Sequence, residues 1–119
     1  MKVYHGKRRK DVLTVTVDGH QLDARTDLWD HSPSGFEWGY SGSGPAQLAL
    51  ALLAYHLQDD KEAVVLHQAF KFAVIAKLPR NDWTLTSAQI HEAVQTLQGS
   101  VSSEIYCTEP ELTGGGWDE

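Results

Sequence analysis

The chain predicts an α+β fold, a small two- or three-stranded antiparallel sheet packed on three helices. Three observations carry that prediction. Val12-Leu13-Thr14-Val15-Thr16-Val17 alternates at period two and is rich in β-branched residues, the pattern of a half-buried strand. Asp18-Gly19 follows, a dipeptide suited to a type I′ hairpin turn, which needs two residues at positive φ. Beyond Gly44 the period changes, and three stretches read as helices.

The elements follow in order. Val3-Tyr4-His5 predicts a first strand, with Gly6 and the basic run Lys7 to Lys10 as its turn. His20-Gln21-Leu22 then predicts a short returning strand. Between Asp23 and Gly44 no period is visible, and Trp29, Phe36, Trp38 and Tyr40 sit inside that loop. A loop this long in a compact domain usually has a reason. Its aromatics are expected to pin it onto the core, because they are large hydrophobic anchors.

The first helix is expected from about Pro45 to Leu57 and is apolar nearly all round, so it should be central and covered. Pro45 suits the first helical position, where its missing N–H costs nothing. The second should start at Asp59, paired with Glu62 as a capping box, and end near Leu78-Pro79. The third should be capped by Thr86 with Gln89 at N3, stapled by Leu85 and Ile90, and stopped by Gly99. Residues 1–98 therefore predict one domain. Residues 99–119 read as an acidic, disordered tail, polar and glycine-rich. Trp117 stands alone there as a short docking motif, and Ile105-Tyr106 suits a brief edge strand equally well.

Composition narrows the function classes. A chain of 119 residues with 41% hydrophobic and 22% charged residues has the make-up of an ordinary globular protein. MKVYHGKRRK has no apolar segment behind its charges, so no secretory signal is expected. The single cysteine, Cys107, rules out an internal disulfide framework and suits a reducing compartment, which we read as the cytoplasm. No stretch is long enough to predict a membrane span. The net charge is −6, yet five of the ten basic residues lie in the first ten positions. From Gly99 onward there are five acids and no base. An acidic domain argues against nucleic acid as the main partner.

Chemical motifs were weighed in turn. Gly39-Tyr40-Ser41-Gly42-Ser43-Gly44 before a helix resembles an anion cradle, since free N–H groups and the positive dipole end coincide there. Gly44 is followed by Pro45-Ala46 rather than Lys and a hydroxyl, so the P-loop pattern fails, and the GxGxxG spacing is absent. Glu37, between Phe36 and Trp38, is the one carboxylate placed among rings, where a raised pKa would suit a general acid. The candidate ligand site under this reading is Glu37, Trp38, Tyr40, Ser41 and Ser43. The competing reading is that the glycines let the backbone turn closely against its own core. His91-Glu92-Ala93-Val94-Gln95 misses the second histidine of HExxH, and Cys107 has no partner cysteine, so no metal and no cofactor are expected.

His31 to Leu53, HSPSGFEWGYSGSGPAQLALALL, resembles the core signature of a family of small bacterial and archaeal proteins of unknown function, often encoded on plasmids and phages. Tyr4 with Gly6, the strand pair and Trp83-Thr84-Leu85-Thr86 extend the resemblance over about residues 3 to 97. No catalytic residue carries over from it. What it implies is mobile-element cargo that works by binding, blocking or redirecting host machinery. The expectation is thus a non-enzymatic protein-binding accessory protein, in its sharpest form an inhibitor of a bacterial defence system of the CRISPR–Cas type. Its acidic surface and tail, through Glu104, Glu109, Glu111 and Trp117, would meet a basic groove on a host or defence-system protein. The alternative is a small-ligand or nucleotide-binding protein using the aromatic–glycine loop.

Overall fold

The computed structural model describes residues 2–10, 12–32 and 35–108. Four strands form one antiparallel sheet: β1 (Val3–Arg9), β2 (Val12–Val17), β3 (His20–Gln21) and β4 (Trp83–Thr86). Their order across the sheet is β3-β2-β1-β4. Three helices complete the α+β fold: α1 (Ser43–Leu57), α2 (Asp60–Ala73) and α3 (Ser87–Thr108), with a 3₁₀ turn at Ile75–Lys77 after α2. None of the described helices is long and apolar enough to cross a membrane.

The Asp18-Gly19 hairpin forms as its chemistry requires, with φ of 49° and 86° at the two turn residues. Asp18 Oδ1 also accepts from the Val3 N–H at 2.9 Å, tying the turn to β1. The first strand is longer than its apolar start suggests. Gly6, expected in a turn, lies within β1 opposite Val15 on one side and Trp83 on the other. A Cβ at Gly6 would sit 2.2 Å from the Trp83 indole, so only glycine lets that ring lie on the strand. The turn falls instead at Lys10, where φ is 58°. The fourth strand, Trp83–Thr86, was expected only as a turn; it pairs with β1 from Val3 to Gly6. The sheet therefore has one strand more than the upper expectation.

α1 is the centre of the protein, with every residue from Gly44 to Ala54 buried. It begins two residues before Pro45, which thus stands third in the helix. The reasoning about its N–H still holds, because none of the first N–H groups has an intrahelical acceptor. α2 starts as expected, the Asp59 carboxylate accepting from the Glu62 N–H at 3.1 Å. It ends earlier than expected, at Ala73. The chain tightens into the 3₁₀ turn, whose Ile75 carbonyl accepts from the Gly39 N–H at 3.0 Å and anchors the long loop. α3 has a full capping box: Thr86 N–H donates to Gln89 Oε1 at 2.9 Å, and Gln89 N–H to Thr86 Oγ1 at 3.2 Å. Gly99 does not stop this helix, which continues to Thr108. A single glycine inside a helix costs only about 1 kcal/mol.

The core joins Tyr4, Val15 and Val17 of the sheet to α1, then α1 to Phe70 of α2 and to Ile90 and Val94 of α3. It contains two polar atoms without a hydrogen-bond partner, the Tyr4 hydroxyl and Trp83 Nε1. Burial pushes the Tyr4 pKa up to about 12, helped by Tyr55 and Asp18. Two substitutions test this packing by urea unfolding. Gly6→Ala should lose about 1–3 kcal/mol by forcing the indole off β1. Tyr4→Phe should leave stability unchanged or raise it by about 1 kcal/mol, because it removes an unpaired buried hydroxyl.

Candidate functional site

The chain between β3 and α1 does two different jobs. Its second half, residues 35–42, is the aromatic–glycine loop. Trp38 is only 1% exposed and packs edge-on against Trp83, with ring centroids 5.5 Å apart. Its indole N–H donates to the carbonyls of Arg80 and Asn81 at 2.8 and 3.0 Å. Arg8 explains why the loop lies there. Strand alternation points Arg8 inward while Lys7 and Arg9 face out. Its guanidinium lies over the Trp38 ring at 5.3 Å and bonds Glu37 through both terminal nitrogens, at 3.0 and 3.4 Å.

Glu37 also accepts from the Trp38 N–H at 3.1 Å. Its pKa is held below the ordinary carboxylate value, chiefly by the Arg8 bond, so it is an ionised partner rather than a poised acid. A Cβ at Gly44 would lie 2.6 Å from the Glu37 Cβ, so the glycine at this bend is required for close approach to the protein itself. Of the five loop residues singled out from the sequence, Glu37 and Trp38 are drawn together around Arg8. Tyr40, Ser41 and Ser43 are exposed and are not part of that cluster. The basic run is divided in the same way: Arg8 serves the loop, and Arg9 pairs with Asp82 at 2.9 Å.

The first half, residues 22–32, forms a strap laid across α1 and α2. Gln47 holds it. This side chain is fully buried in the otherwise apolar α1 and uses both ends. Its Oε1 accepts from the N–H groups of His31 and Ser32 at 2.8 and 3.1 Å. Its Nε2 donates to the carbonyls of Ala24 and Trp29 at 2.6 and 3.0 Å. Four strap backbone groups are thereby satisfied by one amide. Arg25 clips the strap's other edge, bonding both carboxylate oxygens of Asp27 and of Asp60 at the start of α2.

Three rings finish the strap. Trp29 stacks on His31 with centroids 4.7 Å apart and planes at 18°, and both rest against His67 of α2. His67 Nδ1–H donates to the Val64 carbonyl at 2.7 Å, so its Nε2 carries a lone pair. His31 Nε2–H donates to that nitrogen at 2.9 Å. Burial lowers both histidine pKa values; Lys71 adds to the lowering at each, and the two rings oppose each other's charge at His67. The only sequence signal for this arrangement was Gln47 itself, one polar residue in an apolar run, and it was not singled out.

Nothing in this strap matches a known catalytic arrangement. Among the described residues, no three histidine, cysteine, aspartate or glutamate side chains gather as a metal site. A cleft of about 160 Å³ is lined by Leu22, Asp23, Arg25, Ala51, Ala54, Tyr55, Gln58 and Asp60. It includes none of the loop residues proposed for ligand binding and is smaller than the roughly 300 Å³ at which small-molecule sites begin. Glu104 lies in the last turns of α3, whereas Glu109, Glu111 and Trp117 lie outside the described residues. Residues 4–96 match a family model described as a family of unknown function, DUF6166. The chain belongs to that family. The match covers both halves of the long loop, β4 and most of α3, in keeping with the span of the sequence resemblance. No curated protein and no solved structure matches the chain.

The paired histidines give a pH dependence with a definite sign. Their folded pKa values lie below the ordinary value of 6.5, so the unfolded chain takes up protons first as pH falls. Their contribution is complete above about pH 7 and is lost as pH drops through 6.5 toward the folded values. His56, lowered by burial and by His91, acts in the same direction. The carboxylates with lowered pKa, Glu37, Asp27 and Asp82, act only further down, below their unfolded values of 4.5 and 3.8. Urea midpoints should therefore fall between pH 7.5 and about 5.5, and His31→Asn should flatten that slope. A midpoint that is constant or rises over this interval contradicts the assignment.

Proposed function

We propose that the chain works by binding a protein, and that the strap presents the contact. The observation that carries this is Trp29. It is 49% exposed, yet stacked on His31 and held at its carbonyl by Gln47. A large aromatic already fixed in place is the kind of residue that dominates protein interfaces, because little side-chain freedom is lost on docking. Around it stand the exposed carboxylates of Asp23, Asp27, Asp30, Asp59 and Asp60, with Arg25 bound to two of them. An aromatic anchor within an acidic rim suits a partner with a basic groove. The sequence beyond Gly99, with Glu104, Glu109, Glu111 and Trp117, carries the same sign of charge and a second tryptophan.

The narrower form of the reading is an accessory protein of a plasmid or phage that inhibits a bacterial defence system of the CRISPR–Cas type. Small size, net acidity and the signature from His31 to Leu53 support it. The ligand-binding alternative draws less support, since Trp38 and Glu37 have their polar atoms engaged within the protein.

Immobilised wild-type chain and Trp29→Ala, used in parallel on host lysate with captured proteins quantified by mass spectrometry, test the broad reading. A basic protein retained by the wild type, lost about tenfold with Trp29→Ala and eluted by salt, is the expected result. Recovery of no protein, or equal recovery with the variant, removes the strap as the contact. Plating of a targeted phage on a CRISPR-active strain tests the narrower form separately; unchanged plating on expression of the chain discards it alone.

A further inference from the structure

α2 has a second apolar face that the fold does not use. Its inner side, with Ala63, Leu66 and Phe70, is buried against the core. On the solvent side, Val65 is 70% exposed and Phe72 57% exposed, with half-buried Ala69 between them. The spacing is i, i+4, i+7, which aligns the three along one stripe of the helix. His67, against which Trp29 packs, lies on a different flank, so this stripe is separate from the strap's contact face.

Charge along α2 says what would cover the stripe. Its start carries Asp59, Asp60 and Glu62 against Lys61 alone. From His67 to Arg80 the bases are Lys71, Lys77 and Arg80, and there is no acid. The helix is acidic at one end and basic at the other, so an antiparallel copy of itself meets opposite charge at both ends. A parallel copy meets like charge at both. The apolar stripe has the same symmetry: Val65 of one copy falls opposite Phe72 of the other. Ala69, next to the two-fold point, is small enough to let the helices approach to the usual 8–10 Å. Such a face is self-complementary, as a two-fold interface demands.

We propose that the protein forms a two-fold dimer through antiparallel α2 helices, with Val65, Ala69 and Phe72 at the seam and Glu62 facing Lys77 of the second copy. One helix per chain is a small interface, so the dimer is a weak one that dissociates in the micromolar range.

Sedimentation equilibrium of the full chain from about 5 to 300 µM tests it. The expected result is a concentration-dependent rise to twice the monomer mass. Phe72→Glu or Val65→Glu, both at exposed positions, should weaken dimerisation at least tenfold while leaving the circular dichroism spectrum unchanged. Lys77→Glu alone and Glu62→Lys alone should each weaken self-association, whereas a mixture of the two variants should pair, because every cross-contact then joins opposite charges. A single-chain mass throughout the range overturns the proposal. So does a dimer that Phe72→Glu leaves intact, or a mixture that associates no better than its components.

Discussion

The structure depends on one side chain, the amide of Gln47. α1 is the element that every other part of the protein packs around, and eleven consecutive residues of it are buried, Gly44 to Ala54. A fully apolar central helix would leave the strap that crosses it with backbone N–H and carbonyl groups facing hydrocarbon. Each such group left unpaired costs roughly 1–3 kcal/mol. Gln47 meets four of them at once and makes an irregular segment compatible with a buried helix. The position of Trp29 follows from this, because its carbonyl is one of the four. The stack of Trp29, His31 and His67 is the visible consequence of the strap being held down.

The second half of the long loop is held by a different device. Arg8 reaches inward from the middle of the sheet, lies over Trp38 and neutralises Glu37, with its Nε–H donated to the Arg80 carbonyl at 2.8 Å. Sheet, loop and the segment before β4 therefore meet at one guanidinium. A planar, permanently charged group with several donors suits this meeting point, and lysine could not stack and form a two-point bond together. The glycine-rich bend is shaped around that cluster. Gly44 passes so close to Glu37 that a methyl group has no room. The two devices divide the loop into a half that seals the core and a half that offers an aromatic to solvent.

Much of the fold was legible in the residues. Period-two alternation placed β2, the Asp-Gly dipeptide placed the hairpin, and the Asp59 and Thr86 caps placed the starts of α2 and α3. What was missed was missed for physical reasons. β4 is four residues long and directly abuts a helix cap, so its own period is too short to register. Gly6 and Gly99 were read by their usual local meaning, yet tertiary context overrode both: the Trp83 ring needs the bare backbone at Gly6, and α3 tolerates glycine within it. The inward turn of Arg8 was hidden in a run of four bases, because charge runs ordinarily read as solvated. The site was less legible than the fold. Trp38 and Glu37 were singled out, but their engagement with Arg8 joins residues 29 apart or more in sequence. His31 and His67 meet only because Gln47 sets the strap, and no spacing in one dimension encodes that.

The central claim is that a buried amide, not the loop's own sequence, fixes the strap and thereby Trp29. Amide hydrogen exchange at His31 and Ser32, compared between the native chain and Gln47→Leu, tests it most directly. If the claim holds, both amides exchange in the native chain at rates close to those of α1. In the variant they speed up by at least about a hundredfold while the α1 amides change far less. Rapid exchange of both amides in the native chain, or equal protection in the variant, contradicts it.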